Sequence, residues 1–334
     1  MIFVTGGTGL VGSHVLLKLA KKGEDFKALK RTNSSLGICK RVFSFYNAVA
    51  LFDKISWVEG DVNDIPSLTE GMQGCEKLIH CAAIVSFYAR DADLLKKVNI
   101  EGTANVMNVA LASDVKKIGY VSSIATLGRN STLGMVDEEC QFKSTKLESN
   151  YALSKYYAEQ EVWRASNEGL DVVIVNPSVI LGPGDWTKGS SQIFQKIHKG
   201  LKFYTQGSTG YVDVNDVAES ILQLLFSEIK NERFIVNGAN LKYRDCFDRI
   251  AVALNKPKAT IKVTPLLKDI AWLLDTVRAF FTAHKPLLTR ETANSAMTSS
   301  TYNASKIGKM INFQFTDIDV TIQKYAAWFI ADLK

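Results

Sequence analysis

Residues 1–12 read MIFVTGGTGLVG, and this opening decides how the rest of the chain is organised. Ile2, Phe3, Val4 and Thr5 form a short run of β-branched and aromatic residues, the composition of a buried strand. Gly6, Gly9 and Gly12 follow at once, and a helical pattern of apolar residues begins at about Leu10. Each glycine has its own physical use in a strand–turn–helix unit. Gly6 permits the tight turn, Gly9 lets backbone come up against a ligand, and Gly12 lets the helix lie close to the strand. The helix then points its free amides at the turn, where they suit an anion such as a pyrophosphate. The expected dinucleotide-binding turn is Gly6, Thr8, Gly9, Leu10, Val11 and Gly12.

Outward from this unit, short strand-like runs alternate with helical patterns. FKALK, ISWVEG, KLIHC, KIGYVSS, DVVIVNP and RFIVN are interleaved with helices that include one around Val98 to Ala112 and one near Asp216 to Phe226. Such alternation predicts an α/β fold, a doubly wound parallel sheet of about seven strands. A Gly/Pro-rich loop runs from Leu181 to Ser191, and from about Lys242 the pattern turns mostly helical. The expected organisation is a nucleotide-binding domain over 1–240, with an excursion at about 181–212, and a C-terminal cap over 241–334. Within the cap, Leu266, Ile270, Leu273, Leu274, Val277, Phe280 and Phe281 recur at helical spacing. Three uses compete for that stripe: a buried pocket roof, the face of a homodimer, and a helix lying on a membrane surface.

Composition narrows the classes. The chain has 334 residues, 46% of them hydrophobic, enough for one large core, so disorder is excluded. The net charge of +6 comes from basic residues scattered among nearly as many acids, which argues against a nucleic-acid surface. Five cysteines (Cys39, Cys75, Cys81, Cys140, Cys246) form no CxxC pair, and the four histidines (His14, His80, His198, His284) have no metal-ligand spacing. No bound metal is expected. The N-terminus lacks a charged segment and cleavage site, and no run reaches the roughly 18 apolar residues of a membrane span. A soluble, cytoplasmic protein is expected.

The glycine spacing is GxxGxxG, and the phrase TGGTGLVG resembles that of the extended short-chain dehydrogenase/reductase family. VEGDVND, LIHCAA, VNIEGTANVMNVA, YVSSIATLG, YALSK, VNPSVILGPGD and YVDVNDVA then follow in that family's order, over about the first 220 residues. The resemblance implies a Rossmann fold, a nicotinamide dinucleotide, and hydride transfer at a carbonyl or carbinol. It also implies that Asp61 and Val62 border the adenine, that Ala82 and Ala83 line the cofactor cleft, and that Pro177 and Val179 touch the cofactor. Turn capping and small-residue packing are the structural alternatives for the Asp61–Val62 and Ala82–Ala83 pairs.

The end of the second strand bears on the choice of dinucleotide. An acid there would accept hydrogen bonds from the ribose hydroxyl of NAD, but this chain has FKALKRTNSS. Arg31 can instead pair with a 2′-phosphate, so NADP is expected, with NAD as the alternative.

Tyr151 and Lys155 are four apart on a predicted helix and so share one face. A neighbouring ammonium and a positive nicotinamide would both favour the phenolate of Tyr151, making it an acid/base at a carbonyl oxygen, while Lys155 would also bond the nicotinamide ribose. At the end of the fifth strand, Ser122 and Ser123 are adjacent, and the family pattern turns Ser123 toward the cleft to share the charge on the substrate oxygen. Asn99 matches a family asparagine that supports the active-site helix. The expected catalytic set is therefore Ser123, Tyr151 and Lys155.

Departures from the family's sugar-nucleotide members point to the substrate class. Ser123, Ile124 and Ala125 stand where dehydratases carry Thr-Asp-Glu, and Thr209 and Gly210 stand where an Arg grips a diphosphate. The chain looks most like the dihydroflavonol-4-reductase-like branch, which implies reduction of an apolar or aromatic aldehyde or ketone. Val85, Phe87, Tyr88 and Trp186, with Trp272, are the expected substrate-side residues, and filling the interdomain core is the alternative for these aromatics. A nucleotide-sugar epimerase and an NADP-sensing regulatory scaffold are the alternatives.

Overall fold

The computed structural model describes residues 1–128, 134–143, 148–265, 267 and 296–333. Twelve strands occur among them, β1 (Ile2–Thr5), β2 (Phe26–Lys30), β3 (Ser56–Glu59), β4 (Lys77–His80), β5 (Lys117–Val121), β6 (Asp171–Pro177), β7 (Val179–Leu181), β8 (Phe203–Tyr204), β9 (Ser208–Asp213), β10 (Glu232–Val236), β11 (Ala239–Lys242) and β12 (Ile261–Lys262). The helices among them are α1 (Leu10–Lys22), α2 (Gly37–Phe45), α3 (Val49–Phe52), α4 (Ile65–Met72), α5 (Ala92–Leu95), α6 (Gly102–Leu111), α7 (Asn150–Asn167), α8 (Gln192–His198), α9 (Val214–Phe226), α10 (Tyr243–Ala253), α11 (Ser305–Ile311) and α12 (Ile318–Asp332).

Seven strands form one sheet in the order β10-β6-β5-β4-β1-β2-β3, and every neighbouring pair is parallel. This is the expected doubly wound sheet. Strand alternation splits its apolar side chains between two cores. Ile2 and Val4 pack with Val15, Leu16, Val217 and Ile221 on one face, while Phe3 packs with Leu78, Val106, Met107, Ala158 and Val162 on the other. The strand order reverses between β1 and β4, and the glycine turn lies at that switch point, where a doubly wound sheet opens a crevice.

Beyond the carboxyl ends of the strands, β11, β9 and β7 form a second, three-stranded sheet. Its pairing has no local signature, because it joins residues near 180, 210 and 240. Leu181, Trp186, Phe194, Ile197 and Tyr211 share one hydrophobic cluster with Cys246, Ile250, Ile322, Tyr325 and Phe329. The 181–212 excursion and the C-terminal helices are thus two sides of one core. The apolar stripe at 266–281, with Trp272, lies outside the described residues. Among the described residues no helix is long and apolar enough to cross a membrane.

Candidate active site

The glycine turn is built as its spacing requires. Gly6 has φ +73°, and a Cβ there would sit 2.5 Å from the Ala82 amide nitrogen, so only glycine allows β1 and β4 to end side by side. A Cβ on Gly12 would lie 2.1 Å from the Gly6 carbonyl oxygen. Gly9 differs: its nearest neighbour to a Cβ is the same oxygen at 3.4 Å, so the face of the turn at Gly9 is open. Gly9 caps α1, no side chain bonds the helix amides, and no acid stands in the first turn. Thr8, Leu10 and Val11 complete this rim. Free amides and an open backbone face suit a pyrophosphate.

Arg31 follows β2 and is exposed, and its guanidinium has no hydrogen bond or ion pair among the described residues. The nearby carboxylate of Glu59 is taken by the Thr32 hydroxyl at 2.7 Å and the Lys30 ammonium at 3.7 Å. Asp61 accepts the Asn63 backbone and side-chain N–H groups at 2.9 and 3.0 Å, which caps the turn after β3. Val62 is buried against the start of α6, where a Cβ on Gly102 would meet it at 2.6 Å. Ala82 is half-buried beside Gly6 and Ala83 is exposed. Pro177 ends β6 and Val179 begins β7, so both stand where the chain leaves the main sheet.

Ser123 and Tyr151 come together. The Ser123 side chain accepts the Ala125 N–H at 3.1 Å and stands close enough to the half-buried Tyr151 phenol to act on its titration. Desolvation holds the phenol above its ordinary value, with Ser123 pulling it back. Lys155, 2% exposed, differs from the expectation of an ammonium set against that phenol. Its Nζ donates to the Tyr120 hydroxyl at 2.7 Å and the Val121 carbonyl at 3.0 Å, and lies 4.4 Å from the Tyr120 ring centre. The reason is desolvation: a buried ammonium turns to the nearest acceptors. Desolvation also lowers its pKa to about 8, against a counter-pull from Glu159.

Support for these groups comes from residues far apart in sequence. Asn99, on a six-residue π-helical stretch (Lys96–Glu101), accepts from the Ile84 N–H at 2.8 Å and donates to the Ile84 carbonyl at 3.0 Å and the Ser154 hydroxyl at 2.9 Å. It ties the segment after β4 to the residue beside Lys155. Tyr120 belongs to a buried chain: His80 bonds Thr5 at 2.6 Å and Thr103 at 3.0 Å and stacks on the Tyr120 ring.

Of the expected substrate-side residues, Phe87 is placed best. Its ring is 37% exposed and meets the Tyr151 ring edge-on at 5.6 Å, with Val85 57% exposed beside it. Tyr88 is half-buried at a short 3-10 turn, where its N–H bonds Ser86. Trp186 is a core residue instead, 7% exposed between Phe194 and Phe329, with its indole N–H on Asp332 at 2.7 Å. The glycines and prolines around it marked a loop, but α8 and α12 close over it with Phe194, Phe329 and Asp332. Thr209 is buried, and a Cβ on Gly210 would strike the Asn237 amide oxygen at 2.1 Å, so a longer side chain there would have to displace Asn237.

The residue that sequence reading missed is Glu159, 1% exposed at the centre of a hydrogen-bond cluster with Ser122, Thr126 and Asn176. Its signal was present in the spacing: Tyr151, Lys155 and Glu159 recur every four residues on one face of α7.

A glycine turn at the switch point of a parallel sheet, with a tyrosine, serine and lysine on the adjoining strand and helix, defines a dinucleotide-binding α/β protein. The model of the NAD dependent epimerase/dehydratase family matches residues 2–237, and the chain belongs to that family, as an NAD(P)-dependent enzyme of the extended short-chain dehydrogenase/reductase type. A putative dihydroflavonol 4-reductase of Synechocystis is 31% identical, over 98% of this chain and 94% of that one. A UDP-glucose 4-epimerase of Vibrio cholerae is 27% identical, over 77% and 76%. Among solved structures, gox2253 matches with a TM-score of 0.82 and 29% identity, over 99% of this chain and 98% of that one.

Proposed function

We propose that the protein is an NADP-dependent reductase that converts an apolar or aromatic aldehyde or ketone to its alcohol, with Ser123, Tyr151 and Lys155 as its working set. The observation that carries this reading is the Phe87 ring set edge-on against Tyr151 and open to solvent, an apolar wall beside the phenol nearest Ser123. A flat or apolar substrate gains burial there, whereas a diphosphate would be desolvated without charge partners. Gly210 argues the same way, because it offers no side chain to grip an anion.

When bound, the reduced nicotinamide supplies the hydride. Gly6, Thr8, Gly9, Leu10, Val11 and Gly12 would hold the pyrophosphate, and Arg31 the 2′-phosphate, with Val62, Ala82, Ala83, Pro177 and Val179 along the cleft. Tyr151 donates its phenolic proton to the substrate oxygen, and Ser123 donates a hydrogen bond to the same oxygen, spreading the charge that develops on it. Ser123 can do so because its bond to Ala125 uses only an acceptor lone pair. Lys155 stays charged at neutral pH and would hold the nicotinamide ribose.

The test is a panel of aryl aldehydes, apolar ketones and nucleotide sugars assayed with NADPH and NADH. Faster turnover of an apolar carbonyl with NADPH supports the reading. A UDP-sugar turned over faster than every apolar carbonyl would establish the epimerase alternative, which the Vibrio cholerae relative represents.

A further inference from the structure

We infer that Glu159 is a positioning residue for the proposed Ser123–Tyr151–Lys155 site: its carboxylate anchors both ends of the turn that carries Ser123, and its negative charge stands one helical turn below Lys155. The inference rests on the reading of that site given above.

Five donors converge on the carboxylate. Ser122 bonds it at 2.5 Å, Thr126 at 2.8 Å, Asn176 at 2.9 Å, Arg233 at 3.2 Å and Trp163 at 3.4 Å. Ser122 and Thr126 bracket the 3-10 turn at Ile124–Thr126, which Ser123 caps. Asn176 also donates to the Ser123 carbonyl at 3.2 Å and to the Thr126 hydroxyl at 2.9 Å. The backbone around Ser123 is therefore held from both sides, while its own hydroxyl accepts the Ala125 N–H and does not bond Glu159. A buried carboxylate is costly, and packing alone would be served better by an apolar side chain.

The charge has a second effect. His80 and Cys81, from β4 and the segment after it, and Tyr120, from β5, face Lys155, and none of them is an anion at neutral pH. Glu159 is the carboxylate that holds the Lys155 ammonium up against desolvation. Arg233, from β10, pairs with the same carboxylate and also donates to the Glu138 carbonyl.

The test reads NADPH affinity by fluorescence across pH, because Lys155 is proposed to hold the nicotinamide ribose. In Glu159→Gln the pH at which affinity is lost should fall by about one unit. An unshifted limb overturns the charge role. Should Glu159→Gln not fold, Arg233→Gln removes the competing cation and should move the limb upward, and an unchanged limb there overturns it equally. For the anchoring role, the double variant Ser122→Ala/Thr126→Val should keep the wild-type limb but lower kcat about tenfold with the panel's fastest carbonyl. Unchanged kcat overturns that role. Tyr151→Phe is measured in parallel. Turnover retained there refutes the site reading itself, whereas an inert Tyr151→Phe beside an unshifted Glu159→Gln limb refutes only the inference.

Discussion

Alanine at Gly9 and at Gly12 should break two different properties of the same turn. At Gly12 the added Cβ would lie 2.1 Å from the Gly6 carbonyl oxygen and 2.6 Å from its carbon, both backbone atoms that no rotamer change can move. α1 would have to lift off β1, disturbing the core made by Val15, Leu16 and Leu19. Overpacking of this kind costs about 1–3 kcal/mol or more, and in a chain of this size each kcal/mol lowers Tm by about 1–2 °C. At Gly9 the φ of −90° and ψ of 179° are open to alanine, and the closest contact is 3.4 Å. Losing glycine at an N-cap costs about 1 kcal/mol or less, so the Gly9→Ala protein should melt near wild type. Its methyl would nevertheless occupy the face proposed for the pyrophosphate, and NADPH affinity should drop about a hundredfold, which is about 2.7 kcal/mol. Differential scanning fluorimetry and NADPH titration of both variants separate the two effects. A Gly9→Ala protein that binds NADPH as tightly as wild type would refute the assignment of that face to the cofactor.

Three further outcomes are expected. Arg31→Ala should narrow the preference for NADPH over NADH by about 1.5–3 kcal/mol in titrations at fixed salt, and equal wild-type affinities would end the NADP proposal. Tyr151→Phe should abolish NADPH-dependent carbonyl reduction while leaving dinucleotide affinity within about twofold, since it removes one hydroxyl and leaves the glycine turn unaltered. Burial lowers the pKa of His80 to about 3 and that of His14 to about 4, both from 6.5. The unfolded chain therefore binds more protons than the folded one below pH 6.5; the histidine contribution is complete above that value and lost as pH falls toward about 3. His80 alone should withdraw about 3 kcal/mol between pH 6.5 and about pH 4. Urea unfolding of wild type and His80→Gln at both pH values checks this, and an equally steep acid loss in the variant would contradict it.

What could be read from residue order was what is encoded locally. The glycine turn is a twelve-residue unit whose constraints are met within itself and at Ala82. The parallel sheet followed from alternating strands and helices, and the face shared by Tyr151 and Lys155 from helical periodicity. Three features were not legible, each because its partner lies far along the chain. Lys155 turns to Tyr120, 35 residues away, so the expected ammonium–phenol pairing is not seen. Trp186 is claimed by Asp332, 146 residues away, and reads as a loop aromatic only while α12 is out of view. The Glu159 cluster draws on Ser122, 37 residues upstream, and on Arg233, 74 residues downstream, a convergence that no window of local sequence contains.

The hydrophobic cluster that joins the 181–212 excursion to α10 and α12 also limits how this scaffold can be recombined. Phe194 and Trp186 from the excursion interleave with Phe329, Tyr325 and Ile250 from the C-terminal helices. A chimera that imports the C-terminal helices from a relative would set foreign side chains against a native face and leave voids or clashes on both sides. The exchangeable unit is discontinuous: a donor must contribute its counterpart of the excursion together with its C-terminal helices, grafted at β7, β9 and β11, while the parallel sheet is left untouched.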